Sequence, residues 1–107
     1  MGCIRTVKNR STTPLGSNAT YEGPVFKSEM YNQIRGLVSA NQSGTISLQE
    51  SFDGVTWYQS NTAAVTGGTP AAFRFYCHAY YARIVYVNGA TAQGSFDLQA
   101  YADPFGA

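Results

Sequence analysis

One stretch, Gly44 to Tyr58 (GTISLQESFDGVTWY), constrains the fold more than any other part of the chain. Ile46 and Leu48 alternate with Thr45, Ser47 and Gln49, a period of two that places the apolar side chains on one face of a strand. Asp53-Gly54 supplies a turn, because glycine tolerates positive φ and an aspartate side chain can bond its own backbone. Trp57, the only tryptophan, follows at once and is expected to lock the return strand onto a core. The stretch therefore predicts a β-hairpin, with Asp53, Gly54 and Trp57 as its turn and core anchor.

The flanking segments read as further strands. Ala19 to Phe26 carries Tyr21, Val25 and Phe26 around Gly23-Pro24, a strand ended or broken at the proline. Lys27 to Asn32 is a short connector. Gln33 to Ala40 presents Ile34, Leu37 and Val38, and Gly36 interrupts its period, which predicts a bulge there. After Trp57, Gln59 to Thr62 is polar and Ala63 to Thr66 makes a short strand before the Gly67-Gly68-Thr69-Pro70 loop. Ala71 to Cys77 sets Phe73, Phe75 and Cys77 against Arg74 and Tyr76. Tyr81 to Val87 sets Ala82, Ile84 and Tyr86 against Arg83, Val85 and Val87. Gly94 to Tyr101 turns Phe96, Leu98 and Ala100 inward. No segment sustains a helical period. Short strands joined by Gly, Asn and Pro turns predict an all-β fold, an antiparallel β-sandwich of jelly-roll type.

A chain of 107 residues makes one domain. The expected division is a flexible, extended N-terminal arm over 1–18, the sandwich over 19–103 and a short tail over 104–107. The arm is polar and turn-rich from Asn9 to Asn18, so it reads either as a loose terminus or as an arm that orders against a neighbouring subunit. In the second case Ile4, Arg5, Val7, Lys8 and Leu15 are the expected contacts. Met1-Gly2 with Thr6, beside Cys3, also fits a two-signal lipidation pattern.

Charge limits the partners. Charged residues are only 12% of the chain, about half the usual share. The net charge is +1 and no Lys/Arg run exists, so a nucleic-acid partner is not expected. No apolar stretch is long enough to span a membrane, and the start lacks the apolar core of a signal peptide. Without an export signal, the sequons at Asn9, Asn18 and Asn41 are incidental, and Cys3 and Cys77 are expected as free thiols. Eight tyrosines on a Ser/Thr/Asn/Gln-rich background suit contacts with protein or sugar. Tyr58, Tyr80, Tyr81 and Tyr101 are the candidate surface aromatics.

Catalysis finds little support. Cys77 and His78 are adjacent, so on a strand they face opposite ways, which is poor geometry for a nucleophile and its base. They also lack the spacing of a metal site. Glu50 and Asp53 are close in sequence, but Asp53 is a turn residue, and a glycosidase needs two convergent carboxyls. The expectation is a non-enzyme with no metal and no cofactor.

Three resemblances bear on the role. Ser51-x-Asp53-Gly54-x-Thr56-Trp57 is similar to the Asp-box of sialidase propellers, lacking one residue between Asp and Gly and present as a single copy. SFDGVTW followed by Tyr80-Tyr81-Ala82-Arg83-Ile84 resembles the core hairpins of discoidin-type sandwiches, without their paired terminal cysteines. The widest likeness, from Leu15 to Tyr101, is to small phage virion proteins. Their pattern LGxxAxFxG, then DxxGTLxIxxSxDGxxW, then YxRVxYxNGxxAQxxFxLxxY reads here as LGSNATYEG, NQSGTISLQESFDGVTW and YARIVYVNGATAQGSFDLQAY. That resemblance implies a capsid decoration (cement) protein or a related head or tail component. It further implies the major capsid protein or another virion protein as partner, self-association, commonly as a trimer, and a place on the capsid surface. The other expectation is a carbohydrate- or host-surface-binding module of a tail or head fibre, with Tyr58, Tyr80 and Tyr81 as its platform.

Overall fold

The structure, a computed structural model, describes residues 8–27 and 31–104. Its strands are β1 (Lys8–Ser11), β2 (Thr20–Glu22), β3 (Phe26–Lys27), β4 (Tyr31–Ala40), β5 (Gly44–Ser51), β6 (Tyr58–Val65), β7 (Ala71–Tyr76), β8 (Tyr81–Asn88) and β9 (Phe96–Pro104). They pair in nested order about the predicted hairpin. β5 pairs with β6, β4 with β7, β2 and β3 with β8, and β1 with β9, all antiparallel. β4 also pairs with β9, and β5 with β8, so the folded ribbon wraps into two sheets. Their orders are β1-β9-β4-β7 and β2-β8-β5-β6, with β3 also on β8. A long hairpin wrapped into two sheets in this way is a jelly roll.

Alternation places the core where the sequence puts it. Ile34 and Val38 on β4, Ile46 and Leu48 on β5, Phe73 and Phe75 on β7, Ile84 and Tyr86 on β8, and Phe96 and Leu98 on β9 are all buried between the sheets. Removing each such side chain from water contributes roughly 1.5–3 kcal/mol.

Several expectations change on contact with this architecture. Gly36 is not a bulge, since β4 keeps register with both β7 and β9 through Arg35, Gly36 and Leu37. Gly36 instead occupies an inward position filled by its neighbours. A Cβ there would lie 2.0 Å from the Gln99 carbonyl oxygen and 2.8 Å from the Phe73 ring. The glycine leaves room for an aromatic ring to lie over the backbone, the usual rescue of a strand glycine. The irregularities of the ladder fall elsewhere, between Tyr31 and Gln33 and between Leu48 and Gln49.

The return strand of the hairpin begins at Tyr58, after Trp57, and runs without a break to Val65. Trp57 is thus outside the core, a correction to its expected role as core anchor. It is half-buried on the outer side of β8, its ring 4.3 Å from the Arg83 guanidinium.

The N-terminal arm is corrected too. From Lys8 onward it belongs to the sandwich, because β1 forms an outer strand against β9. Leu15, expected as a gripping contact, packs against the core and is clamped by backbone and side-chain bonds. Ile4, Arg5 and Val7 lie outside the described residues, as does the tail beyond Pro104.

Candidate functional site

The loop between β5 and β6 is the most apolar exposed feature of the described surface. Phe52 is 76% exposed, Val55 79% and Tyr58 55%. Such exposure in a slack loop would mean little, but this loop is braced. The buried Ser51 hydroxyl accepts from the amides of Asp53 (3.2 Å) and Gly54 (2.8 Å) and donates to Asp53 Oδ1 (3.0 Å). That same oxygen accepts from the amides of Val55 and Thr56, each at 2.9 Å. Gly54 has φ of +80°, a left-handed conformation that glycine adopts without penalty. The donors converging on Asp53, first the amides of Thr56 and Val55, hold its carboxyl below the ordinary value. Asp53 and Gly54 are therefore turn residues, as the sequence indicates, and their effect is to present Phe52 and Val55 rigidly.

Behind the loop, a shallow groove of about 410 Å³ is lined by Glu50, Phe52, Tyr58, Ser60, His78 and Ala79. The Phe52 and Tyr58 rings sit 5.9 Å apart, tilted. At its base Glu50, only 3% exposed, points inward in phase with Ile46 and Leu48. One carboxylate oxygen accepts from the amides of His78 and, at 2.7 Å, Ala79; the other lies 3.2 Å from His78 Nδ1. Burial pushes the Glu50 pKa up, but the bonds from Ser60, the two amides and the His78 ring together outweigh it and hold the carboxyl below its usual range. Glu50 thereby staples the β7–β8 loop to β5. Burial, with the Glu50 charge, pushes the neighbouring Cys77 thiol up to about 12. Among the described residues, no three His, Cys, Asp or Glu side chains gather as metal ligands would.

Tyr80 and Tyr81 lie in and beside the same loop end. They stack edge to face at 4.8 Å, and Lys27 Nζ lies 6.0 Å from the Tyr80 ring. Tyr81 flanks Gly54, so three of the four candidate tyrosines gather at one end. Tyr101 does not; it sits on β9 of the other sheet, across from Arg35. Sequence reasoning missed Phe52, Val55 and the Glu50–His78 pair. The available signal was the placing of two large apolar residues, Phe52 and Val55, on either side of Asp53-Gly54 in a turn.

At the opposite end, the most specific part of the virion-protein pattern turns out to be a structural clip. Asn88 Nδ2 donates to the carbonyls of Gly16 (2.8 Å) and Thr91 (2.9 Å), with Leu15 at 3.4 Å. Gln93 Oε1 accepts the Leu15 amide at 2.8 Å, and the Gln93 amide donates to the Leu15 carbonyl at 2.8 Å. The LG and NGxxAQ segments, far apart in sequence, are thus one hydrogen-bonded unit.

The jelly-roll sandwich sets the class of protein. Within it, the chain belongs to the family described as "Uncharacterised protein YqxG N-terminal domain", matched over residues 2–103. Among solved structures, the chain is similar to the crystal structure of the PBSX exported protein XepA, with a TM-score of 0.85 and 19% identity. That match covers 100% of this chain but 41% of the XepA chain. The chain therefore spans less than half the length of that relative. It is also similar to the crystal structure of PirA (TM-score 0.63, 17% identity, covering 94% of this chain and 96% of the other). A third likeness is to a structure titled "Bacillus endospore appendages form a novel family of disulfide-linked pili" (TM-score 0.57, 16% identity, 96% and 97% covered). At these identities the likeness is one of fold. No curated protein sequence matches the chain.

Proposed function

We propose that this chain is a non-catalytic structural module of a phage virion, in its specific form a capsid decoration protein that docks on the shell through the β5–β6 tip. The observation that carries this reading is the rigid exposure of Phe52, Val55 and Tyr58 beside an apolar groove. A preformed apolar patch loses little entropy on binding, and interfaces draw most of their energy from a few large apolar or aromatic anchors. The likeness of pattern to small phage virion proteins supports the same reading. So does the likeness of fold to the PBSX exported protein XepA and to a structure of endospore appendages. The partner is then the major capsid protein or another virion protein, and self-association into a trimer would set several tips on one local symmetry axis. No chemical step is assigned to the groove, because the oxygens of its one buried carboxylate are engaged by loop amides and the His78 ring.

The test compares particles assembled with the wild-type chain and with a Phe52→Ser/Val55→Ser/Tyr58→Ser variant. The variant should keep the wild-type melting temperature, because these side chains lie outside the core, yet disappear from purified particles. Retention of the variant at wild-type copy number would reject the tip as the docking surface.

A further inference from the structure

The outer strand of a sheet presents a row of open backbone groups, and folded proteins commonly guard it with charge, proline or shortness. Here β1 carries Lys8 and Arg10, β2 Glu22, β3 Lys27 and β7 Arg74. β6 also ends its sheet among the described residues. With 8 residues it is the longest of these outer strands, and its sequence, YQSNTAAV, holds neither a charge nor a proline.

The open backbone groups of β6 follow from the pairing. The Asn88 amide donates to the Ala19 carbonyl, so Asn88 turns its backbone away from β5. Successive residues of a strand turn their backbone groups to opposite sides. Val87 therefore faces β5, where its partner is Thr45. Thr45 in turn faces β8, and Ile46 faces β6, opposite Ala63. Ala63 then faces β5, which leaves the amides and carbonyls of Thr62 and Ala64 directed out from the sheet. Both residues are exposed. The irregularity of the ladder, between Leu48 and Gln49, lies nearer the tip, and Asn61 to Val65 keep register throughout.

The apolar groove described above opens beside the start of this edge, and Tyr58 and Ser60 of β6 are part of its lining. Strand addition draws affinity from main-chain bonds and specificity from pockets that take alternate side chains; the open edge and the groove supply one of each. A second copy is a poor occupant. Run antiparallel along β6, its own β6 would bring Ala63, Ala64 and Val65 toward the groove. The alanines offer only methyl groups, and Val65 is held in its own core.

We propose that the free edge of β6 takes an extended, uncharged segment of a partner protein as an added antiparallel strand, with a large apolar side chain of that segment seated in the groove. The proposal deepens the docking role assigned above and rests on it for the partner's identity as a virion protein. The absence of charge along the edge selects an uncharged segment, and the apolar groove selects its anchor. Residues directly opposed on neighbouring strands share a face. Partner residues bonded to Thr62 and Ala64 thus point away from the core, and the residues between them point to the groove's side.

The test uses the intact purified chain and an acetylated nonapeptide of four Thr-Leu repeats closed by a lysine amide, followed through backbone amide signals in NMR. In an extended strand its leucines share one face. The Thr62 and Ala64 amide signals should shift, saturate and exchange more slowly with solvent. With leucine on the groove's side, the peptide pairs through its threonines. N-methylation of every threonine should therefore weaken binding by about tenfold or more, and N-methylation of every leucine by less than about threefold. Absence of a saturating shift at Thr62 and Ala64, or equal affinity of the two methylated peptides, would overturn the proposal. Protection of these amides that grows with protein concentration, with no peptide added, would also overturn it by giving the edge to a second copy. The titration needs no particle and the tip variant needs no peptide, so failure here and failure of the docking role are separate results.

Discussion

Trp57 and Arg83 meet on the outer side of β8 with the guanidinium 4.3 Å from the ring centroid, and Glu50 lies beneath the groove with four donors about it. These residues separate what a side chain suggests by type from what its position makes of it. A tryptophan after a hairpin turn reads as core, but the turn is six residues long, from 52 to 57, and it delivers Trp57 to the outside. Trp57→Ala should then cost about 1–2 kcal/mol, the scale of a partly desolvated cation–π contact. Phe75→Ala, in the core, should cost about 3–5 kcal/mol. Urea melts of the two variants check the order. Glu50 makes a prediction in pH. Its pKa is lowered on folding, so its contribution is fully present above the unfolded value of about 4.3 and is lost as pH falls through the folded one. Glu50→Gln should cost about 1–3 kcal/mol at neutral pH and flatten the acid limb of stability measured by urea melts. An acid limb identical to wild type would remove Glu50 from this role.

At the scale of elements, the long strands and the Asp53-Gly54 turn were legible, whereas β1 and the fastening of the 9–18 segment were not. The alternation in β5, β7, β8 and β9 is strict enough to name the inward residues correctly, because each of these strands has one face against the core. Gly36 misled because a glycine within a strand signals either a bulge or a close approach, and only the partner strand decides which. Here Phe73 decides it, and Gly36→Ala should cost about 1–3 kcal/mol through overpacking against the Gln99 carbonyl and the Phe73 ring. The segment Asn9 to Asn18 read as an arm because it has no apolar period. It is fastened by hydrogen bonds instead, and Asn88 and Gln93 sit too far along the chain for local pattern to reveal the bond. Asn88→Ala, which removes hydrogen bonds to the part-buried carbonyls of Gly16 and Thr91, should cost about 1–3 kcal/mol at about 0.5–1.5 kcal/mol for each bond. It should also speed amide exchange at Leu15, Asn18 and Ala19, with the β5 amides left protected; equal acceleration in both places would contradict a local clip.

For the molecule as a whole, the nested pairing explains how a short, weakly charged chain holds an apolar loop out at one end. The hairpin of β5 and β6 lies at the centre of the nesting, so its tip projects from one end while the later strands bury its base. The all-β class followed from the sequence because every strong period in it is two, whereas the apolar tip did not, because an exposed Phe and Val carry no periodic signal. The most direct measurement of the proposed role is electron cryomicroscopy of particles assembled with the intact chain. The account predicts density for the jelly roll at a fixed, repeated position on the shell, with Phe52, Val55 and Tyr58 buried against a shell subunit. Particles without this density, or with the tip turned to solvent while another face makes the contact, would contradict it.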